Sequence, residues 1–104
     1  MFTQTVYTAP PEPTVSTTQE LAHAQYAVVK QGIYRHYKGN LYQVIDISCD
    51  ANDLSVYVVY TCLYQNPVSQ VWHRRIEDFC QVGVWIQGQA PCARFEFVRH
   101  ASPD

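Results

Sequence analysis

The sequence predicts a mainly β chain: a small, strongly twisted β-barrel or roll of five to six short strands, preceded by one short helix. Three observations lead there. Aromatic residues make up 13% of the 104 positions, with eight tyrosines, four phenylalanines and two tryptophans. They stand among many Val and Ile, the side chains that fit a pleated, half-buried surface. The apolar runs are short and are separated at close intervals by turn chemistry such as Lys38-Gly39-Asn40 and Asn66-Pro67. The composition is 47% hydrophobic and only 15% charged, a globular balance rather than a disordered one. A single domain of this length has a modest core. Its aromatics, each able to bury roughly 150–250 Å², must therefore supply much of it.

Residues 1–16 contain Pro10, Pro11 and Pro13 and show no hydrophobic period, which predicts an extended or flexible arm. Thr17-Thr18-Gln19-Glu20 fits a capping box, with Thr17 as N-cap and Glu20 at N3. Leu21, Ala24 and Val28 follow at helical spacing, so a helix is expected over about 17–28, within a helix-and-linker segment 17–30. Such a helix covers an open barrel end or docks on a partner. The β domain is expected over 31–100, with a tail at 101–104. Within it, Gly32 to Tyr37 reads as a strand and Leu41 to Ser48 as its return, with Gly39 in the turn able to take positive φ. Cys49 to Asp53 is a polar loop. Leu54 to Leu63 is apolar on both faces, with Val56, Val58 and Tyr60 on one and Tyr57, Val59 and Leu63 on the other. That pattern predicts a central strand buried on both sides. Tyr64 to Pro67 turns the chain, Ser69 to Arg74 is a strand carrying Trp72, and Arg75 to Phe79 is one helical or 3₁₀ turn. Val82 to Ile86 and Ala93 to Val98 are the last expected strands, with Gly88 and Pro91 between them.

Several functional classes find no support. The formal charge of −2 is not the broad basic footprint of a non-specific nucleic-acid binder, although a local basic patch is compatible with it. No apolar run approaches the roughly 20 residues of a membrane helix. The opening MFTQTVYTAPPEP lacks the basic and apolar regions of a signal peptide. The expectation is a cytoplasmic protein without a membrane partner, whose Cys49, Cys62, Cys80 and Cys92 are reduced thiols. Each cysteine stands more than ten positions from the next and no histidine pair has ligand spacing, so no metal site is expected. No cysteine sits beside a basic pair or at an evident helix N-terminus. The four glycines are isolated and form no phosphate loop. No catalytic residue and no cofactor is assigned. Asp50 with Asp53, and Glu77 with Asp78, read as loop and turn caps.

The blocks GIYRHYKGNLYQVIDIS, VYVVYTCLY, VWHRRIEDF and ARFEFV stand in an order that resembles the DUF1653 family, over about Gly32 to Val98. The opening block, with its His-Tyr-Lys-Gly turn, is the most specific part. The resemblance maps the family pattern onto Gly32, Tyr34, His36, Tyr37, Lys38, Gly39, Tyr42, Tyr60, Leu63, Tyr64, Trp72, Arg74, Phe79, Arg94 and Phe95. It implies a small bacterial or phage domain with an SH3-like β-barrel, and no established activity. Two departures stand out. The family's Trp-x-Arg-Pro is Trp72-His73-Arg74-Arg75 here, and Asp50 and Asp53 occupy the loop where a Thr/Ser-Glu pair is usual.

The remaining candidates are basic and aromatic. Tyr34 and His36 share one face of the first strand, Arg35 and Tyr37 the other, and the pattern does not decide which enters the core. Arg74 and Arg75 follow Trp72. Tyr, Trp and Arg dominate binding hot spots, and such a surface stacks a base or holds a phosphate. The expected function is a non-enzymatic binding module whose ligand site is drawn from Tyr34, Arg35, His36, Lys38, Tyr64, Trp72, Arg74 and Arg94, with nucleic acid or a nucleotide the favoured ligand. The alternatives are a protein-interaction subunit, partner-bound or homodimeric, and a small enzyme with His36 or His73 as general base. The competing structural reading is that Tyr34, Tyr42, Tyr60 and Trp72 fill the core while Arg74 and Arg94 pair with carboxylates, Arg94 with Glu96 in particular.

Overall fold

The structure, a computed structural model, describes residues 13–101. Its elements are α1 (Pro13–Tyr26), β1 (Gly32–His36), β2 (Leu41–Cys49), β3 (Val56–Cys62), β4 (Val71–Arg75), α2 (Ile76–Phe79) and β5 (Phe95–His100). The strands form one antiparallel sheet in the order β4-β3-β2-β1-β5. Among the described residues no ladder joins β4 to β5, so the sheet is open, not a closed barrel. It is nevertheless strongly curled. Strands β3 and β5 lie three steps apart in the sheet, roughly 14 Å if it were flat. Yet the rings of Tyr60 and Phe95 stand only 5.4 Å apart.

Of the extended or flexible arm expected over residues 1–16, residues 1–12 lie outside the described residues and 13–16 belong to a helix. Helix α1 begins at Pro13, four residues before the expected cap. Proline suits the first helical position, where no N–H is needed and φ is already set, so Thr17 lies inside the helix. The docked face also differs from the expected one. Ala22 and Tyr26, one turn apart, pack on the core, and Gln19 donates to the Ile47 carbonyl at 3.3 Å. Leu21 is 65% exposed. Val28 is buried beyond the end of the helix, after Ala27 turns the chain at φ 55°. The helix packs on β2, with smaller contacts to α2 and β3.

The first hairpin forms as the sequence indicates. Gly39 takes φ +110° and donates to the His36 carbonyl at 2.7 Å. Strand β2 carries a bulge between Val44 and Asp46, which shifts the alternation so that Val44 and Ile47 are buried and Ile45 is not. Strand β3 is one-sided. Val56, Val58, Tyr60 and Cys62 are buried, while Tyr57, Val59 and Thr61 are half-buried, since only one face of the sheet is covered. The single turn of α2 carries Ile76 and Phe79, both fully inside, with Phe79 stacked on Phe95 at 4.1 Å. The expected strand at 82–86 is reduced to one bridge, Val84 to Cys92. Gly83 and Gly88 sit at positive φ, Pro91 has no N–H, and Val82 and Trp85 point to solvent, so no ladder propagates. The last strand starts at Phe95, two residues later than expected.

Candidate functional site

The two edges of the sheet meet at a cavity. The register sets His36 of β1 opposite Phe95 of β5, Tyr60 of β3 opposite Trp72 of β4, and Val58 opposite Arg74. Strand alternation then turns His36, Tyr42, Tyr60, Trp72, Arg74 and Phe95 to the concave side. The curl brings Arg74, on one edge strand, to within 5.8 Å of the ring of Phe95, on the other. Together with Asn66 these side chains line a cavity of about 190 Å³. Buried Tyr60 and Phe95 form its floor. Tyr42 packs edge-on against both, at 5.4 and 5.7 Å. The Tyr42 hydroxyl shares a 2.8 Å hydrogen bond with that of Tyr64, which also accepts from Asn66 Nδ2 at 3.2 Å. The Trp72 indole N–H donates to the Ser69 carbonyl at 2.9 Å, fixing the ring.

The electrostatics of this cavity are one-sided. No Asp or Glu lines it. Arg74 takes part in none of the three ion pairs among the described residues, Lys30–Asp46, Arg35–Glu96 and Arg75–Glu77. Its Nε is buried without a hydrogen-bond partner. Arg94 Nε is in the same condition, while its Nη2 donates to Gln81 Oε1 at 2.7 Å. Burial, then the charges of Arg74, Arg94 and Lys38, push the His36 imidazole down to about 4. The ring is therefore neutral near pH 7. Its Nδ1 accepts from the Lys38 N–H at 3.2 Å, which leaves the proton on Nε2 as a donor. Burial and the bond to Tyr64 raise the Tyr42 phenol well above its ordinary range, so it too stays neutral.

His36 also borders a second cavity of about 230 Å³, lined by Arg35, Tyr37, Cys92, Ala93 and Glu96. There Arg35 and Glu96 face each other at 4.0 Å. All four cysteines are free thiols, Cys62 buried and the others half-buried. Burial, with Glu77 nearby, pushes Cys80 up to about 11, far from a reactive thiolate. Among the described residues no three His, Cys, Asp or Glu side chains cluster to hold a metal, and no helix is long and apolar enough to cross a membrane.

Residues 32–97 match the family model described as a protein of unknown function, DUF1653. The chain belongs to the DUF1653 family. A crystal structure of a DUF1653 protein from Bordetella bronchiseptica is similar to it, with a TM-score of 0.64 and 29% identity over 76% of this chain and 99% of that one. No curated protein matches the chain. Every residue that lines the cavity falls inside the matched DUF1653 segment.

Of the candidates named from the sequence of this DUF1653 chain, the fold brings His36, Trp72 and Arg74 together in the cavity. Tyr64 stands behind it, bonded to Tyr42. Arg94 acts on His36 through its charge, with its guanidinium held by Gln81 rather than by Glu96. Arg35 and Lys38 are exposed, Arg35 on the outer face with Glu96 and Lys38 over the Tyr37 ring. Tyr34 is in the core, edge-on to Phe79 and Phe97, and its hydroxyl accepts from the Val29 N–H at 3.0 Å. His73 packs on Tyr57 on the outer face. Sequence reasoning did not place Tyr42, Tyr60, Asn66 or Phe95 at the site. The alternation of the strands carries a signal for Tyr42 and Tyr60. Phe95 reaches the cavity only through the curl, and Asn66 looks like a turn residue.

Proposed function

We propose that this DUF1653 domain is a non-enzymatic binding module that recognises a nucleotide, free or at one position of a single-stranded nucleic acid, through the cavity at the sheet edges. The observation that carries this reading is Arg74: a guanidinium in an aromatic cavity, with no carboxylate beside it and a buried donor left unpaired. A buried donor without a partner costs about 1–3 kcal/mol, and with no carboxylate paired to it the Arg74 charge is left to attract an anionic ligand. Tyr42 and Trp72, both only half-buried, offer ring surface for a base. A volume of about 190 Å³ is below the 300–1,000 Å³ usual for whole small molecules, and suits one base or one phosphoryl group.

The expected affinity is modest. Stacking of one base contributes about 1–3 kcal/mol, and a charge-assisted hydrogen bond about 1.5–3. A single nucleotide then binds with a Kd of about 0.04 mM at best. The enzyme alternative finds less support. A general base works best when poised near the operating pH, whereas His36 sits near 4 and His73 is outside the cavity. The protein-partner alternative draws on exposed Val82 and Trp85, which no further observation ties to an occupant. A titration of ¹⁵N-labelled protein with short single-stranded DNA, RNA and mononucleotides tests the reading. Shifts centred on His36, Trp72 and Arg74 are expected. Unmoved spectra at low salt and millimolar ligand would remove it.

A further inference from the structure

Buried tyrosine hydroxyls ordinarily find a partner inside the protein. The Tyr34 hydroxyl accepts from the Val29 N–H, and those of Tyr42 and Tyr64 share a hydrogen bond. Tyr60 differs. It is only 5% exposed, and its ring is packed by those of Tyr42, Phe95 and Phe79 at 5.4, 5.4 and 5.7 Å. Its hydroxyl makes no hydrogen bond among the described residues. Nor is it sealed off: the inaccessible side-chain polar atoms without a partner are Arg74 Nε and Arg94 Nε. The Tyr60 hydroxyl is therefore open to the space its side chain borders, which is the cavity. Phenylalanine would pack as well here, so the fold itself gives the hydroxyl no use.

The acceptors of the lining are already spent. Asn66 Oδ1 accepts from the Val68 N–H at 2.9 Å and the Ser69 N–H at 3.4 Å, which fills both of its lone pairs. Its Nδ2 donates to the Tyr64 hydroxyl, and the Trp72 N–H is held by the Ser69 carbonyl. No side-chain carbonyl or carboxylate with a free lone pair lines the cavity. A ligand carbonyl finds the Tyr60 hydroxyl and the terminal nitrogens of Arg74, which carry no hydrogen bond. A ligand amino group finds only a hydroxyl to accept from it, on a lining it shares with a guanidinium. A volume of about 190 Å³ favours the single-ring bases. We infer that Tyr60 determines the specificity of the cavity: its hydroxyl donates to a carbonyl oxygen on the base edge, so the site takes uracil or thymine ahead of cytosine, which carries an amino group in place of that carbonyl. This inference rests on the nucleotide reading of the same cavity and names its base class.

The test measures binding of uridine 5′-monophosphate and cytidine 5′-monophosphate to the full chain by calorimetry and NMR. The two share ribose and phosphate, so their difference reports the base edge alone. The expected result is about tenfold tighter binding of the uridine nucleotide. Tyr60→Phe should bring the uridine nucleotide down to the level of the cytidine one, with the thermal midpoint unchanged or raised, because no internal bond is lost. Tyr34→Phe, which loses the bond to Val29, should do the reverse: a lower midpoint and an unchanged preference. Equal binding of the two nucleotides by the wild type would overturn the base inference and leave the nucleotide reading standing. A uridine preference that survives in Tyr60→Phe, or a Tyr60→Phe variant that melts lower or does not fold, would overturn the role of Tyr60. Binding of neither nucleotide would overturn both readings.

Discussion

At the scale of single residues, Arg74 and His36 are the informative pair. Arg74 is a charge at the sheet seam whose Nε is buried without an acceptor, a poor arrangement for stability alone. Arg35 and Arg75, by contrast, each face a glutamate, at 4.0 and 3.8 Å. Replacing Arg74 by an apolar side chain of similar length removes an unsatisfied donor while keeping the packing on Phe95. Arg74→Met is therefore expected to leave the thermal midpoint unchanged or raised, while nucleotide binding falls at least tenfold. A variant destabilised by more than about 2 kcal/mol would instead show that the guanidinium holds the fold together. His36 makes a separate prediction. The folded protein takes up its proton near 4, against 6.5 for the ordinary imidazole. Between those values the unfolded chain binds more protons, so stability is fully present above pH 6.5 and is lost as pH falls toward 4. In urea melts across this window the wild type should lose stability relative to His36→Gln as the pH falls. Parallel curves would show that the imidazole is not depressed.

At the scale of elements, close approaches matter more than propensities. Gly32 opens β1 where a Cβ would meet the Val29 carbonyl oxygen at 2.9 Å, Phe97 Cε1 at 3.0 Å and Tyr34 Cε1 at 3.2 Å. The carbonyl is backbone and cannot swing away. Gly32→Ala should cost about 1–3 kcal/mol, read as a lower urea midpoint with an unchanged m-value; an unchanged midpoint would show that the linker gives way. Much at this scale was legible in the sequence. The hairpin around Gly39, the strands β2 to β4 and the turn at Ile76–Phe79 follow from alternation and turn chemistry. Three features were not. The helix starts at Pro13 because proline at its first position reads equally well as part of an extended arm. Ile45 and Ile47, which plain alternation would put on one face, are separated, the first exposed and the second buried, because a bulge that is silent in the pattern VIDIS breaks the alternation. The run Val82 to Ile86 is apolar enough for a strand but finds no neighbour to pair with.

At the scale of the whole molecule, the site is a product of sheet curvature. Trp72 and Arg74 come from one edge and Phe95 from the other, and nothing in the local sequence says that these edges meet. Three of the seven lining residues, His36, Trp72 and Arg74, were legible, because aromatic and basic residues on alternating positions of β1 and β4 are visible as a pattern. The roles of Tyr34 as core and Phe95 as cavity wall depend on long-range closure. The charge distribution makes a further prediction. With a net charge of −2 and one cavity for one phosphate, log K for a single strand should fall with log salt at a slope near about −0.7. A slope several times steeper would point to a broad electrostatic surface, not a single pocket.

The account's central claim is that the cavity joining His36 and Arg74 receives an anionic nucleotide. The most direct measurement is the NMR titration of the His36 imidazole with pH, first free and then with saturating thymidine 5′-monophosphate. The prediction is a free value near 4 that rises on binding, because a nearby anion favours the protonated ring, accompanied by movement of the Trp72 indole signal. An imidazole that titrates at its ordinary 6.5 in the free protein, and does not move when the nucleotide is added, would contradict it.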